Sequence, residues 1–280
     1  MPNAPTEDLA RRLEAARAEY ALPLDTRSRS EDIARRTLAL LFPHFAVGGD
    51  RGTPAVAEEL RELGDRLASF LRDQGKLASE AGRTAEAFVA GLEDLRNALQ
   101  EDAEANCEAD PAATGTDEVI IAYPGFFAIA CYRIAHRLHD LGVELLPRLI
   151  TELAHRQTGI DIHPGATIGA SLAIDHGTGI VIGESALLGD RVRLYQGVTL
   201  GALIVRKDLA KQKRHPTIED DVVVYANATI LGGDAVIGAG SVIGGNVWLT
   251  HAVPPGSIVT HAATVERALE VGEYPLEYHI

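Results

Sequence analysis

Asp175 and His176 stand where an otherwise regular chain loses its count. An aliphatic residue recurs every six positions at Ile162, Ile168 and Ile174, then the count slips by two and resumes at Ile182, Leu188, Leu194 and Leu200. Two extra residues that leave both flanking beats intact must bulge outward, which exposes Asp175 and His176, and Gly177 and Gly179 supply the turn. Histidine is the side chain whose charge changes nearest neutral pH. The slip, the adjacent acid and the two glycines mark this pair as a candidate functional site. A second interruption, GALIVRKDLAKQKRHPT at 201–217, contains the most basic stretch of this half and ends beside Arg214-His215. A basic arm next to a histidine bulge reads as a lid. Cys107 and Cys131 lie near neither bulge, which argues against a Cys-His acyl-enzyme.

The elements that must carry these residues are written in two periods. From residue 7 to about 155, apolar residues recur at three or four, as in LARRLEAARAEY, VAEELRELGDRLASFLRDQ and YPGFFAIACYRIAHRLHDLG, and helices are expected. TAEAFVAGLEDLRNALQEDAEA reads as one such run. From about 160 to 260 glycine and β-branched residues take over, and the beat returns after the loop at Ile218, Val224, Ile230, Val236 and Val242, with Trp248 next. The recurring Gly and Asn would break one long strand. A coiled parallel β-helix fits instead, each short strand pointing one aliphatic side chain into a narrow interior and three strands completing a triangular coil. The expected class is α+β: a helical domain at 1–158, a β-helix with an extruded loop at 159–260, and a tail at 261–280.

Bulk properties exclude several functions. The formal charge of −14, with 22 of the 40 acidic side chains in the first 110 residues, argues against a nucleic-acid backbone binder. No apolar run approaches the length of a membrane span, and the N-terminus lacks the apolar core of a signal peptide. Two cysteines without metal-type spacing suit a reduced, cytoplasmic protein. No metal is expected, because the histidines considered (155, 163, 176, 215 and 251) form no close zinc-type pair.

GIDIHPGATIG at 159–169, LAIDHGTGIVIGE at 172–184, YQGVTLG at 195–201, RHPTI at 214–218 and GAGSVI at 238–243 closely resemble the serine acetyltransferases, which are left-handed parallel β-helix enzymes. Asp110-Pro111 and YPGFFAIACYRIAHRL fit the same family. The resemblance implies acetyl transfer from acetyl-CoA to the hydroxyl of L-serine, the first step of cysteine biosynthesis. It makes His176 the general base and Asp161 the acid that orients it. It assigns Arg214 to the serine carboxylate, Asp110 and Asp175 to its amino group, and Glu184 to the same site, with His215 reaching across a subunit boundary. Coenzyme A would run along a groove between neighbouring β-helices, near Gly201, Ala226, Gly232, Gly233, Gly244 and Gly245, with Lys211 and Lys213 at its phosphates. The shared groove implies a trimer or a dimer of trimers.

The 201–217 loop is longer than the short glycine-rich stretch of the family, and GSIVTHAATVER replaces its usual ending. Trp248 is placed near the last coil, where it would plug the open prism. The tail EVGEYPLEYHI resembles the family tail that enters O-acetylserine sulfhydrylase, which makes that enzyme a partner through Ile280. Two other readings stand beside the serine enzyme. One keeps the acetyltransferase but changes the acceptor, for example to homoserine. The other is an inactive β-helix scaffold acting through the tail.

Overall fold

The computed structural model describes residues 4–20, 22–46, 53–203 and 212–260. Among these residues the helical half contains α1 (Ala4–Arg17), α2 (Thr26–Leu41), α3 (Thr53–Asp73), α4 (Ala78–Ala90), α5 (Leu92–Ala109), α6 (Thr116–Ala122), α7 (Pro124–Asp140) and α8 (Leu145–Thr158). The run expected as one helix over 84–105 is broken at Gly91, which separates α4 from α5. A Cβ there would sit 2.3 Å from the Arg137 guanidinium, so the glycine lets α7 pack against the junction. Among the described residues no single helix is long and apolar enough to cross a membrane. The apolar face of α7, including Phe126, Ile129, Tyr132 and Ile134, is buried in the core.

The second half is a left-handed parallel β-helix. Sheet one holds β1 (Asp161–Ile162), β4 (Val181–Ile182), β7 (Thr199–Gly201), β10 (Thr229–Leu231) and β13 (Trp248–Leu249). Sheet two holds β2 (Thr167–Ile168), β5 (Leu187–Leu188), β8 (Thr217–Ile218) and β11 (Val236–Ile237). Sheet three holds β3 (Ala173–Asp175), β6 (Arg193–Tyr195), β9 (Val223–Val224), β12 (Val242–Ile243) and β14 (Ile258–Val259). Every third strand pairs in parallel, so like side chains stack: Ile162, Ile182, Leu200 and Ile230 form one buried column. Such stacks bury apolar surface that a two- or three-residue strand could not cover alone.

One beat differs from the sequence reading. The inward beat after Ile230 continues through Ile237, Ile243 and Leu249, all buried and stacked on Ile218, Val224 and Ile230, and not through Val236, Val242 and Trp248. One additional residue enters around Gly232, whose φ of 103° is left-handed, and because strand side chains alternate this turns the expected set outward. Trp248 is consequently 67% exposed on the outer side of β13 and plugs nothing.

The first coil has no preceding coil to satisfy its outer edge, and an unpaired edge cannot be buried without partners. Side chains of α5 and α7 take that place. Tyr132 Oη donates to Ala166 C=O (2.6 Å), and Arg133 donates to Ile168 and Gly169 C=O (3.2 and 2.7 Å). Asp102 accepts Leu172 N–H (2.9 Å), and Asn106 accepts Ile174 N–H (3.0 Å) while donating to Leu172 C=O (2.9 Å). Asp102, fully buried, also receives both Arg133 nitrogens at 2.5 and 2.8 Å. Removing one member of a buried pair leaves the other uncompensated. Asp102→Ala is therefore expected to lower stability by about 3–5 kcal/mol in equilibrium urea unfolding; a loss below about 1 kcal/mol, the scale of exposed pairs, would remove this capping role.

Candidate functional site

The three corners of the prism carry different chemistry. At the corner between sheets three and one, Gly179, Gly197, Asn227 and Asn246 all have positive φ and hydrogen-bond to the preceding coil through their N–H groups. His176 (φ 56°) and Gly177 (φ 83°) add two further left-handed residues in the first coil alone. They account for the two-residue slip. A Cβ on Gly177 would meet Ile160 at 2.4 Å and Ile174 at 2.7 Å, so only glycine fits. His176 is thrown outward, with 73% of its side chain exposed and Nε2 3.6 Å from Asp175 Oδ1.

Asp110, just past the end of α5, faces the same corner. Its Oδ2 accepts the Tyr123 hydroxyl (2.5 Å) and its Oδ1 accepts Ala112 N–H (2.8 Å). These hydrogen bonds, helped by nearby His176, hold its carboxyl below the usual range, and Tyr123 is pushed up to about 12 by the same bond. Tyr195 follows on β6, in register with Asp175, and stacks on Tyr225 with ring centroids 4.9 Å apart. Aspartates, histidine and three tyrosines thus make an acidic, aromatic-floored surface. Tyr123 and Tyr195 lie within motifs legible in the sequence, yet nothing in their spacing marks them as site residues.

The corner between sheets one and two is built by the return of the long loop. Arg214 hydrogen-bonds Glu184. His215 is buried beneath Gly183, where a Cβ would lie 2.1 Å from its Nε2. Its Nδ1 accepts Ser185 N–H (3.1 Å) and pairs with Ser185 Oγ (2.9 Å), which puts the ring proton on Nε2. Burial, followed by the Arg214 charge, pushes the His215 imidazole down to about 4. At neutral pH it is a neutral donor. Burial raises the Glu184 carboxyl, but Arg214 and His163 together hold it below the usual range. Ser185 and His163, neither singled out from sequence as site residues, complete this corner.

Several expected residues take other partners. Asp161 lies on β1 facing α8, with Oδ1 3.9 Å from Arg148, and no hydrogen bond joins it to His176 among the described residues. Lys213 Nζ donates to Ser185 and Pro216 C=O (2.7 and 3.0 Å). Lys211 and Ile280 lie outside the described residues. The glycines expected along a cofactor groove divide between the same two corners. Gly201, Gly232 and Gly233 belong with Arg214-His215, and a Cβ on Gly233 would strike Lys213 C=O at 2.4 Å. Ala226, Gly244 and Gly245 belong with His176, where Ala226 C=O accepts Asn246 N–H.

Short strands in three sheets and polar sites on two corners define a hexapeptide-type β-helix protein preceded by a helical half. No family profile matches the chain. A plasmid-borne serine acetyltransferase of Synechococcus elongatus is 51% identical over 201 residues, 70% of this chain and 63% of that protein, so the chain spans somewhat under two thirds of that relative. The serine acetyltransferase of Mycobacterium tuberculosis is 46% identical over 165 residues, 59% of this chain and 70% of the relative. Among solved structures, serine acetyltransferase isoform 3 of Entamoeba histolytica in complex with cysteine superposes with a TM-score of 0.76 at 34% identity, covering 85% of this chain and 84% of its own. The Neisseria gonorrhoeae serine acetyltransferase in complex with serine gives 0.58 at 28% identity, covering 83% and 95%. The chain belongs to the serine acetyltransferase family.

The depressed His215 has a pH consequence. Its folded pKa of about 4 lies below the ordinary value of 6.5, so below about pH 6.5 the unfolded chain takes up a proton that the folded chain refuses. Stability is expected to fall from pH 6.5 towards 4, and His215→Gln is expected to flatten that slope in thermal unfolding. An unchanged slope in the variant would show that His215 does not carry it.

Proposed function

We propose that the chain transfers the acetyl group of acetyl-CoA to the hydroxyl of L-serine, giving O-acetylserine and CoA, as the first step of cysteine biosynthesis. One observation carries this reading: the acids and His176 occupy one corner of the prism, while Arg214, Glu184 and His215 occupy another. Serine carries an ammonium and a carboxylate, so its site needs both sets. In a symmetric trimer the first corner of one chain meets the second corner of its neighbour, and the groove between them is complete.

In that groove Asp110 and Asp175 bind the serine ammonium and Arg214 binds the carboxylate. Glu184 sets the Arg214 guanidinium, since the two are already hydrogen-bonded within one chain. His176 removes the hydroxyl proton as the oxygen attacks the thioester carbonyl. The His215 Nε2–H, uncharged at neutral pH, donates to the adduct's oxyanion. Collapse of the adduct breaks the carbon–sulfur bond, and the departing CoA thiolate takes its proton from the His176 imidazolium. A carboxylate on the far side of the ring favours that imidazolium. Asp161 has this role by family resemblance and must exchange Arg148 for the ring to perform it.

Acetyl-CoA, as cosubstrate, runs along the same groove past Gly201, Gly232 and Gly233 of one chain and Ala226, Gly244 and Gly245 of the next. The absence of side chains there lets the pantetheine reach backbone groups. Lys213 has one ammonium hydrogen beyond its two carbonyl partners for a phosphate, and Lys211 joins it. O-acetylserine sulfhydrylase is the proposed partner, on the family resemblance of the segment EVGEYPLEYHI that includes Ile280. Reduced Cys107 and Cys131 suit a cytoplasmic setting.

The test follows CoA thiol release from acetyl-CoA with serine, homoserine, threonine or no acceptor. Serine-dependent release is expected, and His176→Ala is expected to lower kcat by about 10²- to 10⁴-fold. Release that favours another acceptor would move the substrate, and full activity in the variant would remove His176 as the base.

A further inference from the structure

His136, His139 and Asp140 lie on the last turn of α7, away from both corners used in the proposed reaction, and one ligand atom from each falls within 4.8 Å of the others. His136 is already oriented. Its Nδ1 bonds Pro164 C=O (2.8 Å), which places the proton on Nδ1 and leaves the lone pair on Nε2. The ring stacks on Tyr132 with centroids 5.4 Å apart, so its rotation is fixed as well. An imidazole whose far nitrogen donates to a backbone carbonyl is the usual state of a metal-ligating histidine.

The free nitrogen lies close to the Asp140 carboxylate, which His139 also approaches. His136 Nε2 is 3.7 Å from Asp140 Oδ2, and His139 Nδ1 is 3.8 Å from Asp140 Oδ1. Ligand atoms about 2.0–2.1 Å from a tetrahedral zinc ion lie about 3.3 Å from one another, so the two imidazole–carboxylate spans close by about half an ångström and the imidazole–imidazole span, within 4.8 Å, by about 1.5 Å at most. Asp140 also stands at the negative end of the α7 dipole, where a carboxylate is disfavoured. Among the described residues the two imidazoles are the only basic side chains within 4.0 Å of its carboxylate. A cation at this point would offset both the helix end and the carboxylate.

We propose that His136 Nε2, His139 Nδ1 and Asp140 bind a divalent transition-metal ion of the zinc class, leaving a coordination position open to water. Two imidazoles and a carboxylate on one helical turn suit zinc better than calcium or magnesium, which take oxygen ligands. A second cluster, Glu152, His155 and Asp161, does not compete. There the Arg148 guanidinium, 2.6 Å from Glu152 and 3.9 Å from Asp161, already supplies the positive charge and would repel an ion. The sequence reading expects no metal because the histidines it weighs (155, 163, 176, 215 and 251) form no close pair and do not include His136 and His139, and the tautomer of His136 is fixed by Pro164, twenty-eight residues away.

The experiment is calorimetric titration of the chelator-treated full chain with zinc ion. One ion per chain is expected. His139→Ala and Asp140→Asn, whose side chains are 47% and 59% exposed and so do not threaten folding, are expected to weaken binding at least about tenfold. His155→Ala is expected to bind as the unchanged chain does. Absence of saturable binding, equal binding by His139→Ala, or loss confined to His155→Ala would each overturn the assignment.

Discussion

The outer edge of the first β-coil is the constraint on which the molecule depends. A parallel solenoid propagates readily once a coil exists, because each strand offers the next a full ladder of backbone partners and a column of aliphatic side chains. Its first coil has neither. Here the missing partner is a set of side chains from α5 and α7, centred on the buried Asp102–Arg133 pair. Arg133 covers the carbonyls after β2, Asp102 and Asn106 cover the chain entering β3, and Tyr132 and His136 cover the turn before β2. The helical half is thus the zeroth coil of the β-helix, not a separate module beside it.

That cap also bears on the chemistry. Asn106 holds Ile174 N–H, two residues before His176, and the backbone of Gly125 presses so closely on Ile174 C=O that a Cβ would fall 2.3 Å from it. The Asp-His bulge therefore leaves a strand pinned from above by α5 and α7 and from the side by β6. Pinning matters because His176 occupies left-handed backbone, which costs a non-glycine residue about 1–2 kcal/mol. The far corner is fixed by different means: the loop returns under Gly183 and is tied by Ser185 to His215 and Arg214. In the proposed trimer each half-site completes the other across the boundary between neighbouring chains.

Much of this was legible in the sequence, and the limits have physical causes. The six-residue beat reveals the β-helix because inward positions admit only aliphatic side chains, and the slip at Asp175-His176 reveals the bulge because its flanking beats are intact. The slip of one near Gly232 escaped, since Val236-Ile237, Val242-Ile243 and Trp248-Leu249 are pairs in which either member satisfies an aliphatic or aromatic beat. The break at Gly91 escaped because an apolar period continues across it, and only the Arg137 side chain shows why glycine is needed. Tyr123, Ser185 and His163 act through partners far away in sequence, so no local pattern marks them. Asp161 sits on the expected strand, but its neighbour in the chain is Arg148, supplied by the helical half.

The central claim, that neither corner suffices alone, is tested most directly by mixing two inactive chains. His176→Ala keeps the Arg214-His215 corner, and His215→Ala keeps the Asp-His corner. Co-refolded in equal amounts, about a quarter of the grooves should pair two intact corners, and serine acetylation should return towards that fraction. Activity that stays at the level of the separate variants, in mixed oligomers shown to have formed, would place the whole site within one chain and contradict the account.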